Sequence, residues 1–199
     1  MNEQESVVVC PAGSQDAAQI GKVVVMAIGA DLAMEFLARP RSGKTLADVE
    51  AFFGHLAALP TSQYSYVNTI KAVDAQGDAM GYLVCYDGGK LEELRRDFFR
   101  VAREELSLCL SSGDVADETV PGELYIDSLG VLPAYRGRGV AKALLRAAVE
   151  KAGRMGLRAG LLVDKENMTA RRLYDSAGFR KVGETPFAGM MMDHLQYGR

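Results

Sequence analysis

GVLPAYRGRGVAKALL, residues 130–145, sets two glycines among two arginines directly ahead of a helix-like run. A strand candidate at residues 123–131 leads into it. Val140, Leu144, Ala148 and Ala152 follow at helical spacing. The order strand, tight loop, helix leaves backbone N–H groups free at a helix N-terminus, where the helix dipole favours an anion. Gly137 and Gly139 lack Cβ atoms, so a bulky anion can reach the backbone, and Arg136 and Arg138 add two positive charges. A phosphate or pyrophosphate is the natural ligand; the alternative is that the glycines serve only a tight turn. The Walker A pattern G-x-x-x-x-G-K-S/T is absent. The dinucleotide pattern G-x-G-x-x-G fails because Lys142 stands at its third glycine and residues 132–135 separate the strand from the loop.

Working outward, residues 158–163 read as a short apolar strand. Residues 167–177 read as a helix with Asn167 as N-cap and Gly178 at its end. Residues 179–182 and 190–196 read as two closing strands. Upstream, residues 6–11 form a β-branched run, and residues 14–34 read as one helix with Ser14 as a candidate cap. Residues 45–58 read as a second helix, with Thr45 and Asp48 forming a capping box. Residues 65–73 and 79–86 suggest a hairpin, and residues 90–106 a helix. The stretch 111–122 is polar and acidic and reads as a mobile loop. No linker or repeat interrupts the 199 residues, so a single α/β domain is the economical organisation.

Hydrophobic residues make up 48% and charged residues 25%, an ordinary globular composition. The net charge of −3 argues against a general nucleic-acid binder. No apolar run approaches the roughly 20 residues of a membrane helix, and no signal peptide is visible. The odd number of cysteines (Cys10, Cys85, Cys109) without metal-ligand spacing fits free thiols in a reducing cytoplasm and no metal site, Cys85 reading as a buried inert thiol. His55 and His194 read as surface or structural residues.

Arg136-Gly137-Arg138-Gly139-Val140-Ala141 resembles motif A, R/Q-x-x-G-x-G/A, of the GNAT superfamily of N-acetyltransferases. A second stretch, with Asn167, Ala170, Leu173, Tyr174, Gly178 and Phe179, resembles a later motif of the same family. The resemblance covers residues 123–182, with residues 90–122 as extra length between the third and fourth strands. It implies the acyl-CoA N-acyltransferase fold: a mixed, mostly antiparallel sheet flanked by helices, whose parallel fourth and fifth strands splay apart. It implies acetyl-CoA as co-substrate, its pantetheine arm paired with the backbone of Leu129, Gly130 and Val131. It implies a pyrophosphate on Arg136, Gly137, Arg138, Gly139, Val140 and Ala141, with Asn167 bonding the CoA arm. Gly130 fits a close approach of a ligand to the strand or a plain strand irregularity.

The activity so implied is direct acetyl transfer to a primary amine, on a small molecule or a peptide. Tyr174, on the helix stripe Ala170, Leu173, Tyr174, Ala177, is the candidate acid for the departing thiolate. Glu123, Tyr125 and Asp127 share one face of the fourth strand. Asp127 is the candidate base, because a carboxylate in a strand core needs a reason. Glu123 is a second candidate, or a solvated residue at the strand start. The acidic residues Asp114, Asp117 and Glu118 hint at a cationic acceptor, or belong to a solvated loop. The rival readings are a non-catalytic acyl-CoA-binding sensor of the same fold and a nucleotide-binding protein. The acceptor and the oligomeric state, a homodimer included, stay open.

Overall fold

The computed structural model describes residues 7–38 and 42–198; Ser6, where the first strand is expected to begin, lies outside them. The elements run β1 (Val8–Pro11), α1 (Ala17–Ile28), α2 (Ala30–Leu37), α3 (Leu46–Ala58), β2 (Thr69–Val73) and β3 (Ala79–Asp87). Then follow α4 (Leu91–Leu94), α5 (Arg96–Leu106), β4 (Glu123–Val131), α6 (Val140–Arg154), β5 (Arg158–Val163), α7 (Met168–Ser176), β6 (Phe179–Phe187) and β7 (Met190–Tyr197).

The seven strands form one sheet in the order β1-β2-β3-β4-β5-β7-β6. Every neighbouring pair is antiparallel except β4 with β5. Period-2 alternation assigns the two faces. Tyr82, Val84 and Tyr86 of β3 and Tyr125 of β4 pack into a core with α1, α2, α3 and α5. Leu83 and Cys85 of β3 and Leu124 and Ile126 of β4 face a second core built on α6, with α7 against it. No helix among the described residues is long and apolar enough to cross a membrane.

Four expected elements differ from the observed ones. The hairpin strand expected over residues 65–73 begins at Thr69, because Ser65 accepts the Val67 N–H and caps a 3-10 turn over Tyr66–Asn68. The helix expected over residues 14–34 is two helices, because Gly29 at φ 95° ends α1. Ser14 is not its cap: a 3-10 turn over Ser14–Asp16 precedes α1. The Asp16 carboxylate accepts the Gly13 N–H at 2.8 Å while binding Lys71 and Tyr82. The helix expected over residues 90–106 breaks at Arg95, whose side chain turns inward. The strand expected at residues 179–182 extends to Phe187, because its hairpin with β7 continues past a bulge at Lys181/Gly183. The capping box at Thr45 and Asp48 forms in full, with Thr45 N–H 2.7 Å from the Asp48 carboxylate.

α1 crosses α3 closely at Gly21 and Gly54. A Cβ on Gly21 would lie 2.4 Å from the Gly54 nitrogen and 2.5 Å from the Glu50 carbonyl oxygen, both main-chain atoms with no room to yield. Gly21→Ala in an exposed helix would gain about 1 kcal/mol. Here it is expected to cost about 1–3 kcal/mol by forcing the helices apart. Urea denaturation checks the sign, and a variant as stable as the parent would show that the crossing yields freely.

Candidate functional site

β4 and β5 pair only at Glu123↔Arg158, Leu124↔Ala159 and Tyr125↔Gly160. Beyond that rung β4 continues alongside β3 as far as Val131, while Gly160–Val163 of β5 pairs with β7. The parallel strands therefore diverge, and among the described residues the flank of β4 over residues 126–131 has no strand partner on that side. Leu129, Gly130 and Val131 line this free flank. The missing side chain of Gly130 is explained by α1: a Cβ there would meet Met26 Cε at 2.5 Å and Val23 Cγ1 at 2.8 Å. The close approach expected at Gly130 is therefore that of a helix.

At the far end of β4, residues 136–139 form an exposed loop that ends at the N-terminus of α6. Gly137 and Gly139 have φ of 78° and 83°, in the left-handed region where side chains are strained. Ideal Cβ atoms at both positions meet nothing within 4 Å, so the space outside them is open. The backbone conformation alone requires both glycines, and the first-turn N–H groups of α6 lie next to that open space. Arg136 donates to the Val131 carbonyl at 3.2 Å. The Arg138 guanidinium stands over the Tyr135 ring at 5.4 Å.

Asp127 lies two residues beyond the last β4–β5 rung, partly buried on the α1 side. Ser128 Oγ and Tyr86 Oη donate to it at 2.7 and 2.9 Å, and the nearby Gln63 amide also favours its charged form. Burial, the largest cause, raises its proton affinity above the ordinary carboxylate range. Tyr86 Oη also lies 3.2 Å from Glu118. A hydroxyl has one hydrogen to give, so both contacts are satisfied together when one carboxyl carries a proton. Glu118 is 5% exposed and paired with the buried Arg95. Burial, then the neighbouring Asp127 charge, push Glu118 up to about 7 against the pull of Arg95.

This corrects the reading of residues 111–122 as merely solvated. Glu118 and Thr119 are buried against the sheet, because Arg95, at the break between α4 and α5, reaches Asp117, Glu118 and the Ala116 carbonyl. Glu123 is likewise not a solvated residue at a strand start. It is fully buried, with Thr119 Oγ1 donating to one carboxylate oxygen at 2.9 Å. His194 Nε2 at 2.7 Å and Gln196 Nε2 at 3.2 Å occupy the other oxygen. The carboxylate crosses β5 where Gly160 leaves room, a Cβ there falling 1.5 Å from Oε1.

Tyr174 packs edge-on against Phe179, the ring centroids 6.0 Å apart. Among the described residues no hydrogen bond to its hydroxyl is found, and burial pushes it up to about 12. Asn167 caps α7, accepting the Ala170 N–H at 3.0 Å. Tyr86, Gln63 and Arg95 were not picked out by sequence, whereas Glu118 was named with the acidic loop. That loop was the one signal for Glu118; the others converge from distant segments.

Residues 44–179 match the acetyltransferase (GNAT) family. The chain therefore belongs to that family, which transfers acyl groups from acyl-CoA. It is 39% identical over 72 residues to the acetyltransferase Atu2258 of Agrobacterium fabrum, covering 36% of this chain and 52% of that protein. It is 40% identical over 68 residues to the N-alpha-acetyltransferase RimI of Mycobacterium tuberculosis, covering 33% of this chain and 40% of that protein. The chain thus spans about half, or less, of the curated relatives it matches. A crystal structure described as an acetyltransferase superposes with a TM-score of 0.75 at 26% identity, over 96% of this chain and 98% of that one. An N-acetyltransferase from Staphylococcus aureus Mu50 shares the fold at a TM-score of 0.76 and 21% identity, over 95% of this chain and 99% of that one.

Two outcomes follow from this geometry. Gly139→Asp puts a side chain and a negative charge at a left-handed position facing open space. Calorimetry should show CoA binding lost with the fold retained; parent-like binding would remove the loop from the site. Glu118 rises from its ordinary 4.5 to about 7 on folding, so the folded chain holds a proton there that the unfolded chain has released. That contribution to stability is complete below about pH 4.5 and is lost as pH rises to about 7. Glu118→Gln removes the titration, so its Tm should fall less than the parent's between about pH 5 and 7.5; parallel profiles would count against the shift.

Proposed function

We propose that this chain is an N-acetyltransferase that moves an acetyl group from acetyl-CoA directly to a primary amine, with both substrates bound together. The observation that carries this reading is the divergence of β4 from β5 directly after Tyr125↔Gly160, with Asp127 two residues beyond and the glycine loop at the far end. Acetyl-CoA supplies an acetyl group activated as a thioester. The backbone of Leu129, Gly130 and Val131 holds the pantetheine arm as an added strand. Gly137, Gly139, Val140 and Ala141, with Arg136 and Arg138, receive the pyrophosphate, and Asn167 contacts the arm beside its capping role. One domain builds this site, with residues 123–182 as its motif-bearing part and 90–122 lining the acceptor side. The free cysteines fit a cytoplasmic setting.

In the transfer, the amine nitrogen bonds to the acetyl carbonyl carbon and the carbon–sulfur bond breaks. Starting from the ammonium, two protons leave the nitrogen: the first frees the amine lone pair, and the second, released as the amide forms, replaces the proton that the acid gives to the sulfur. Deprotonating an ammonium with a pKa of about 10.4 costs roughly 4.6 kcal/mol at pH 7. Asp127 takes that proton, and the Tyr86 hydroxyl links it to Glu118. Tyr174 keeps its own proton at neutral pH and donates it to the departing sulfur. Glu123, with both oxygens engaged, positions the strands at the base of the opening.

Single-turnover rates test the assignment. Tyr174→Phe keeps the ring and loses the hydroxyl; the rate should fall roughly 10²–10⁴-fold with CoA affinity nearly unchanged. Asp127→Asn should show a deficit that shrinks as pH rises toward about 9.5 and free amine accumulates. A parent-like Tyr174→Phe rate removes that residue from the chemistry. A parent protein that binds CoA and acetylates no amine favours the sensor reading.

A further inference from the structure

A cavity of about 520 Å³ opens on the α1–α3 side of the sheet, beside the Glu118–Tyr86–Asp127 cluster. Its apolar lining includes Leu32 and Phe36 on α2, Phe53 on α3, Phe98 on α5, and Phe187 at the tip of the β6–β7 hairpin. Ala188 and Gly189, at φ 49° and 77°, make the tight turn that carries Phe187 there. The volume falls within the roughly 300–1,000 Å³ typical of small-molecule sites.

The polar part of the wall is selective. Gln63 is 3% exposed, and its Oε1 has no partner among the described residues. A buried acceptor without a donor is costly, so this oxygen is suited to an incoming N–H. Glu118 lines the same wall. Among the described residues Arg95 is the basic residue of the lining, and its guanidinium is taken by Asp117, Glu118 and the Ala116 carbonyl. Among those residues a carboxylate or phosphate on a ligand would therefore meet acids and no available cation. Glu35 and Asp114 stand exposed at the rim, where a second ammonium would gain little over water.

We propose that this cavity is the acceptor site and that the acceptor is a monocationic primary amine with an aromatic or branched apolar body. The proposal rests on the N-acetyl-transfer reading above. The ammonium donates to Gln63 Oε1 and Glu118, next to the hydroxyl that leads to Asp127. The body packs on Phe36, Phe53, Phe98 and Phe187, where aromatic faces offer contact area at low entropic cost.

The test compares 2-phenylethylamine, spermidine and phenylalanine as acceptors in the full chain with acetyl-CoA. The expected kcat/KM for 2-phenylethylamine exceeds both others by at least tenfold. Gln63→Met should lower it at least tenfold further. Phe36→Ala, at a side chain already 40% exposed and so dispensable for folding, should raise KM several-fold with kcat little changed. Preference for spermidine or phenylalanine overturns the acceptor class, and parent-like kinetics in both variants places the acceptor elsewhere. If no amine is acetylated, the transferase reading fails separately. Calorimetric titration of 2-phenylethylamine then decides the cavity: binding that Gln63→Met abolishes supports it, and no binding to the parent protein overturns it.

Discussion

Three rungs of parallel ladder join the two halves of the sheet, and the buried Glu123 carboxylate lies across them. It leaves β4, passes over β5 at Gly160 and meets His194 and Gln196 on β7, with Thr119 closing the other side. A buried charge is tolerated only when its lone pairs are filled, so these contacts hold three strands in one register. Where the rungs end the strands separate, and that point fixes where the free flank of β4 begins. Asp127, the glycine loop and the base of the cavity all take their positions from it.

Charge is divided along the resulting cleft. Arg136 and Arg138 sit in the exposed loop at the end of β4, next to the N-terminus of α6. Asp127 and Glu118, with Glu35 and Asp114 farther out, lie toward the cavity. A net charge of −3 conceals this separation. An anionic cofactor and a cationic acceptor would thus be drawn to opposite ends of one opening, a field effect independent of any single contact.

What the sequence discloses and what it withholds divide along the range of the interactions. β4 and β5 have the bounds that their residue pattern gives, and the cap pairs Thr45–Asp48 and Asn167–Ala170 form as read, because each rests on neighbours in the chain. Gly130 and Gly160 were visible as glycines, yet their reasons are Met26, Val23 and Glu123, far away in sequence. The carboxylate face of β4 was legible from alternation. The partners that distinguish its members were not: Tyr86 comes from β3, Glu118 from a loop, and Gln63 from the connection after α3. The inward turn of Arg95 breaks a helix whose apolar spacing looked continuous.

The Tyr86 hydroxyl, between two carboxyls with one hydrogen to share, has a further consequence. Asp127 and Glu118 lose their protons as a unit, in two macroscopic steps that belong to neither residue alone. Replacing either acid changes the titration of the one that remains. In the proposed reaction an acidic limb of the pH–rate profile would therefore be a property of the triad Asp127–Tyr86–Glu118. Tyr86→Phe, which removes no acid, takes away the shared hydrogen and leaves each carboxyl exposed to the other's charge, so the two steps stay coupled.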